Sequence, residues 1–290
     1  MNQLATLIEL LGKKLKTLSL CFVYHNNIGI SPRVIKAIEN IEDLKSFMIF
    51  SGHEDSKYRT RNLKSITELF SAMPKIEWLK FMCGAIKKLD FKPTALTNLR
   101  CLSFSYDKNS KVLSNIIRTS KSTLKFIELN SAFEDCQDLI QIFEPIQDTL
   151  EGLGTMSFSE DLPAEFASLD FPKLRVLIDQ STRPYRVMRA TNEHVLAAPM
   201  LRNVRTVVTA IESTTYRSYW DLTDLLVGVE EVPSFKHFVL TKEAWIQDYI
   251  VIPPKFMEDY KSRGVQLHVT NQVSCDELME LDLKLNGPMN

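Results

Sequence analysis

The residues that could do chemistry in this chain are not at the spacings of a known site. The five histidines are widely separated and no two lie four residues apart, so a metal site or catalytic dyad would need the fold to gather them. They are His25, His53, His194, His237 and His268. We therefore predict no catalytic residue, no metal site and no cofactor.

Cysteines, glycines and acidic pairs also have structural interpretations. The five cysteines form no C-x-x-C pair, which argues against a disulfide framework or a structural zinc site. Gly152-Leu153-Gly154 is like the start of a dinucleotide loop, but Ser157 takes the place of the third glycine, so turn glycines are the better interpretation. Asp276-Glu277 fits the first turn of a helix, where carboxylates interact favourably with the positive end of the helix dipole.

Composition narrows the class of protein. The chain of 290 residues is 44% hydrophobic and 24% charged, as expected for an ordered globular protein. Its net charge of −1 gives no general attraction to nucleic acid or to an anionic membrane. No apolar run approaches 18 residues, and charged residues interrupt the N-terminal stretch, so neither a membrane span nor a secretion signal is expected. We predict a monomeric protein of the cytoplasm or nucleus.

The elements that would position a site follow a repeated pattern. In Leu124-Lys125-Phe126-Ile127-Glu128-Leu129, apolar residues occupy the first, fourth and sixth places. Copies recur at intervals averaging about 28 residues, a period typical of stacked repeats. Clear copies begin at Leu15, Leu44, Ile76, Leu99 and Leu124, and weaker ones near Leu153, Leu174, Leu201, Phe235 and Val265.

Each copy is interpreted as a strand, loop, helix and loop. Side chains alternate along a strand, so the fourth and sixth places form one face, here called the even face, and the third, fifth and seventh places form the free side, here called the odd face. The even face is core. One repeat buries too little apolar surface to fold alone, so neighbouring repeats must stack. We predict an α/β solenoid with a curved, mostly parallel concave sheet and helices and loops on the convex side.

The pattern Leu-x-x-Leu-x-Leu at this period resembles the leucine-rich-repeat family, and the irregular unit lengths are most similar to the repeat arm of fungal-type F-box/leucine-rich-repeat proteins. The family has an Asn or Cys three places after the third Leu, where this chain departs from the consensus. Those places hold Val23, Gly52, Gly84, Asp107 and Ala132. The resemblance implies a horseshoe fold and a substrate-binding arm of a ubiquitin ligase.

The ends of the chain carry two further expectations. Residues 1–14 are interpreted as the remnant helix of an N-terminal unit, and residues 271–290 as a C-terminal cap, within one repeat domain over 1–290. An F-box would be a helical segment ahead of the repeats, and only 14 residues precede them. A Skp-type adaptor would therefore bind through a missing N-terminal segment. The alternative is a stand-alone regulatory, inhibitor or scaffold repeat protein.

The odd face supplies the candidate site for a protein partner. Large apolar side chains occur there although it should meet water, and exposed apolar patches rimmed by polar residues commonly mark partner surfaces. The candidate residues are Met48, Phe50, Trp78, Lys80, Met82, Phe126 and Glu128. Trp78 and Phe126 are the predicted anchors. The alternative is that a register error has exchanged the faces, or that a loop covers them.

Overall fold

The computed structural model shows an α/β fold with parallel strands, divided into two compact units. Unit 1 comprises Met1–Asn130 and Gln141–Thr149, and unit 2 comprises Ser131–Ile140 and Leu150–Asn290. The structure describes residues 2–22, 29–51, 63–83, 86, 89–92, 94–105, 110–130, 138–155, 163–179, 197–211, 232, 234–242, 254–271 and 273–289.

Unit 1 has five strands that pair in chain order, every pair parallel. The strands are β1 (Thr17–Phe22), β2 (Ser46–Ser51), β3 (Trp78–Met82), β4 (Cys101–Phe104) and β5 (Phe126–Leu129). The helices are α1 (Asn2–Leu11), α2 (Pro32–Glu39), α3 (Leu63–Ser71) and α4 (Ser110–Ser120), and a 3-10 helix covers Gly12–Lys14. Helix α5 (Leu139–Phe143) and the 3-10 helix Glu144–Ile146 lie between the fifth and sixth strands in the chain.

Unit 2 repeats the same arrangement. Its strands are β6 (Gly152–Thr155), β7 (Val176–Asp179), β8 (Thr206–Ile211), β9 (His237–Lys242) and β10 (Gln266–Asn271), and they also pair in parallel in chain order. Its helices are α6 (Ala164–Ala167), α7 (Pro254–Ser262) and α8 (Cys275–Asn286), with a 3-10 helix at Pro199–Leu201. Among the described residues, no helix is both long and apolar enough to cross a membrane.

The predicted even face is the core of unit 1. The register aligns Leu18, Phe47, Leu79, Leu102 and Ile127, the fourth places of the five clear copies. From the second copy onward these side chains are at most 1% exposed, and the sixth places are equally buried. The starting positions predicted for the five clear copies are therefore confirmed.

The strands are joined at their starts by a repeated hydrogen-bond arrangement. In the first four copies of unit 1, the carbonyl at the second place accepts from two N–H groups of the next copy, those of the second and third places. The N···O distances are 2.8–3.0 Å for the four acceptor carbonyls, those of Lys16, Lys45, Glu77 and Arg100. The same arrangement holds in unit 2 at Glu151, Arg175 and Arg205, with distances of 2.9–3.2 Å. Each pair of bonds sets the register of the strand that follows.

Polar side chains just before the first apolar place also connect neighbouring copies. Asn98 Nδ2 donates to the Pro74 carbonyl at 2.9 Å, and Thr123 Oγ1 donates to the Thr97 carbonyl at 3.1 Å. In unit 2, Ser234 Oγ donates to the Arg202 carbonyl at 2.7 Å. These bonds satisfy backbone acceptors in the loops. The five places where the family expects its Asn or Cys lie outside the described residues.

The helix ends follow the residue types that favour them. Ser31 caps α2, with its hydroxyl accepting from the Val34 N–H and Pro32 in the first turn. Ser274 and Glu277 form a capping box at the start of α8. Gly264, with φ of +79°, follows α7.

Three of the weaker repeat starts are corrected by the register. The strand partners align Leu150, Val204 and Gly264 with the first place, where the sequence suggested Leu153, Leu201 and Val265. A shift by an odd number of residues exchanges the two faces of a strand. A start at Leu153 would make Thr155 a third-place residue on the odd face; the register instead aligns it with Asp179 on the even face, where it is buried.

An aromatic cluster in unit 1 supplies a test of the core. The Phe70 ring is fully buried. Its centroid lies 6.3, 5.9 and 5.6 Å from the ring centroids of Phe47, Phe81 and Phe91, respectively. Phe70→Ala should lower the free energy of unfolding by about 3–5 kcal/mol, measured by urea denaturation, because it leaves a cavity. The matched control is Phe50→Ala on the odd face, where the side chain is 36% exposed and a loss below about 1 kcal/mol is expected. Equal losses would contradict the assignment of the two faces.

Candidate functional site: the odd face

The register brings the seven predicted partner residues onto one face of unit 1. Lys80 on β3 lies between Met48 on β2 and Ser103 on β4, and Ser103 lies beside Glu128 on β5. Trp78 and Phe126 flank Cys101 in the same way, and Met82 lies beside Phe50. Residues 23 to 32 positions apart in the sequence therefore lie side by side on adjacent strands.

Exposure separates one of the seven from the others. Phe50 is exposed, while Met48, Trp78, Lys80, Met82 and Glu128 are half-buried. Phe126 is only 2% exposed. Its ring is therefore core in this structure, and replacing it would be expected to cost stability before it affected a partner. We call the six remaining residues the odd-face patch: Met48, Phe50, Trp78, Lys80, Met82 and Glu128.

Polar groups border the odd-face patch on two sides. On β1 the odd places are Thr17, Ser19 and Cys21, and all three are exposed. On the opposite side, Asn130 Nδ2 donates to Ser103 Oγ at 2.7 Å and lies 3.5 Å from Met82 Sδ. The second contact links the last residue of the fifth copy to the patch.

Charged residues mark the strand starts beside the patch. Lys45 Nζ forms an ion pair with Glu77, so the second places of β2 and β3 are connected. Both side chains remain partly exposed, and such pairs typically contribute about 0–1 kcal/mol. Arg100, the next second-place residue, is exposed, and no described residue pairs with its guanidinium.

In unit 2 the chain itself covers part of the odd face, at the starts of β7 and β8. Helix α8 contacts the starts of β7 and β8 through Asp282, whose side chain is fully buried. Asp282 Oδ1 accepts from Thr206 Oγ1 at 2.7 Å, and Asp282 Oδ2 accepts from Arg205 Nη2 at 2.8 Å. Arg175 Nη1 also donates to Asp282 Oδ2. Because Thr206 is a third-place residue, α8 lies on the odd face.

The two arginines reach further groups. Arg175, 4% exposed, donates through Nη2 to Glu151 Oε2 at 3.0 Å and through Nη1 to the Met279 carbonyl at 3.2 Å. Arg205 Nη2 donates to the Gly287 carbonyl at 2.7 Å. Two guanidinium groups and two carboxylates thus balance in charge, which is how buried ions are normally accommodated. We call Arg175, Arg205, Thr206 and Glu151 the arginine cradle.

This cluster is not predicted by the sequence pattern. A signal was present: Asp282 interrupts the apolar positions Leu278, Leu281 and Leu285 of the predicted helix, so a carboxylate lies on its apolar side. The second places of the copies are also almost always charged. Neither signal identifies which strand receives the helix, since Arg175 and Asp282 are 107 residues apart.

Two of the five histidines meet on the odd face of unit 2. His237 Nδ1 and His268 Nε2 are 3.0 Å apart on β9 and β10. Burial lowers the pKa of both rings, and the charge of His268 further lowers the pKa of His237, while Asp282 opposes this shift. The described residues contain no group of three metal-ligating side chains, and His25, His53 and His194 lie outside them.

Comparisons with known proteins give no family. No family model matches the chain, and no curated protein matches it. Among solved structures, the chain is similar to the crystal structure of a structural-genomics target protein from Bacteroides fragilis, with 13% identity and a TM-score of 0.42. The match covers 91% of this chain and 68% of that chain. At such a TM-score, the fold rests on the strand register described above.

The histidine pair predicts a pH dependence. Because both folded-state pKa values lie below the ordinary 6.5, the neutral pair stabilises the fold above that pH, and this contribution is lost as the pH falls below it. In urea denaturation, the free-energy difference between the native protein and His268→Gln should shrink between about pH 7.5 and about pH 5.5. Titrating groups that do not interact with the pair cancel in that difference. A constant difference would show that folding does not lower the pKa of His268.

Proposed function

We propose that this chain is a leucine-rich-repeat solenoid that recognises a protein partner through the odd-face patch of unit 1 and catalyses no reaction of its own. The observation that carries the proposal is the partial exposure of Met48, Phe50, Trp78 and Met82 on adjacent strands. Water-facing positions of a sheet usually hold polar residues, whereas contiguous exposed apolar patches commonly bind partners.

The residue types of the patch suit this role. Aromatic residues and methionine are enriched at interface centres, and Trp is among the residues that most often dominate binding energy. The polar border from Thr17 to Cys21 resembles the rim that surrounds such centres. Lys80 and Glu128 carry opposite charges and lie on the strands on either side of Ser103. This arrangement favours one orientation of a charged partner.

The leading specific form is the substrate-binding arm of an F-box type ubiquitin ligase receptor. It is supported by the resemblance of the repeats, and it requires a Skp-type adaptor bound through a segment ahead of the repeats. The protein would then act as a monomer in the cytoplasm or nucleus, without contacting nucleic acid or membrane. A stand-alone regulatory repeat protein would use the same patch without the adaptor.

Affinity purification from the native cells, with mass spectrometry of the bound proteins, tests the patch. Trp78→Ala should reduce recovery of a stoichiometric partner at least tenfold, because the side chain is expected to lie at the centre of the contact. The control is Met257→Ala on α7 of unit 2, which removes an apolar side chain that is 48% exposed and is not part of the patch. Equal circular dichroism and urea midpoints would verify that both variants fold.

The bound proteins also separate the forms of the proposal. A Skp-type adaptor and a cullin in the purified complex would support the ligase receptor. A different stoichiometric partner without the adaptor would support the stand-alone protein. Full retention of every partner by the folded Trp78→Ala variant would overturn the patch as the recognition surface.

A further inference from the structure

The arginine cradle and helix α8 have the form of a binding site with its occupant. The cradle supplies two guanidinium groups and a hydroxyl, and all three donate to one carboxylate, that of Asp282. Arginine binds carboxylates through several directed hydrogen bonds, which gives the contact a defined geometry. The occupant is an amphipathic helix that lies on a sheet face and places one carboxylate inward.

The odd face next to the cradle is apolar. Val176 and Ile178 on β7 and Val208 on β8 occupy odd places and are at most 9% exposed. An amphipathic helix that bound there would bury its apolar side on these residues and its carboxylate on the arginines. Helix-in-groove recognition uses this combination of anchors.

Helix α8 is held more by polar contacts than by apolar burial. Of its twelve residues, only Leu278, Met279 and Asp282 are buried, and Leu283 is 43% exposed. Asn286 Oδ1 is buried, and no described donor reaches it, so the docked helix leaves one polar atom unsatisfied. A helix attached in this way depends on the carboxylate at its centre.

We infer that α8 is a displaceable occupant of a carboxylate-binding surface formed by Arg175, Arg205 and Thr206, and that this surface takes a partner's amphipathic helix carrying one inward-facing carboxylate. The partner helix replaces α8 and repeats the contacts of Asp282. Because α8 is part of the same chain, its high effective concentration keeps the surface closed until a better-fitting helix competes. The inference rests on the proposed function only in treating the odd face as a recognition surface.

The test uses the full chain and a peptide in trans. Asp282→Lys places a cation between Arg175 and Arg205, which should release α8 while the strands remain intact. A fluorescein-labelled peptide of residues 273–289 with the native sequence should then bind the variant in a one-to-one complex, measured by fluorescence anisotropy. The native protein, whose surface is occupied, should bind the peptide at least tenfold more weakly.

Two controls make the site specific. Glu280→Lys reverses a charge on the exposed side of the same helix, and this variant should behave as the native protein does. The same peptide with Asp282→Asn should bind the Asp282→Lys protein at least tenfold more weakly than the native peptide does. Hydrogen exchange should show lost protection in α8 and retained protection in β7 and β8.

Each other outcome overturns the inference. If Asp282→Lys loses protection in β7 and β8 as well, α8 is part of the core of unit 2 and is not an occupant. If α8 keeps its protection, the carboxylate does not hold the helix. If α8 is released and the peptide does not bind, the surface is not a helix-binding site. The experiment does not involve the odd-face patch, so its failure is distinguishable from failure of the proposed function.

Discussion

The paired hydrogen bonds at the second places, from Lys16 to Arg100 and from Glu151 to Arg205, are the constraint on which the other features depend. One carbonyl holds two successive N–H groups of the next copy, so a strand cannot shift along its neighbour without breaking both bonds. With the register set, the fourth and sixth places of unit 1 form a continuous core, and its odd places form a second continuous face. The odd-face patch and the arginine cradle are both consequences of this alignment.

The sequence predicted which strand residues form the core better than it predicted what packs on each face of the sheet. Five copies with apolar residues at all three places were assigned correctly, because a shift by one residue would have buried Lys80 or Glu128. After residue 150 the signal weakens: Gly152-Leu153-Gly154 offers a single large apolar residue, and Val204, Val207 and Val208 fit more than one register. The register there is set by pairing with neighbouring strands, which local patterns do not contain.

What packs on the odd face depends on contacts between residues that are far apart in the sequence. Trp78 and Phe126 had the same predicted status, both being large aromatic residues at third places, yet only Phe126 is fully buried. The arginine cradle likewise requires a helix 107 residues from Arg175 to fold back onto the sheet face. The periodicity of a single strand identifies which face a side chain occupies, and it cannot identify what covers that face.

The size of the odd-place side chains offers a physical reason why the chain covers the odd face of unit 2 at the starts of β7 and β8. A helix can approach a sheet closely only where the intervening side chains are small, because interiors are packed without overlap. In unit 2 the odd places of β6 are Gly152 and Gly154, and those at the start of β7 and β8 are Val176 and Thr206. In unit 1 the third places alternate in size: Ser46 and Cys101 on β2 and β4 are small, and Trp78 and Phe126 on β3 and β5 are bulky. Small side chains combined with two arginines admit a helix with an inward carboxylate, whereas bulky side chains favour a partner that packs on the outside of the odd-face patch.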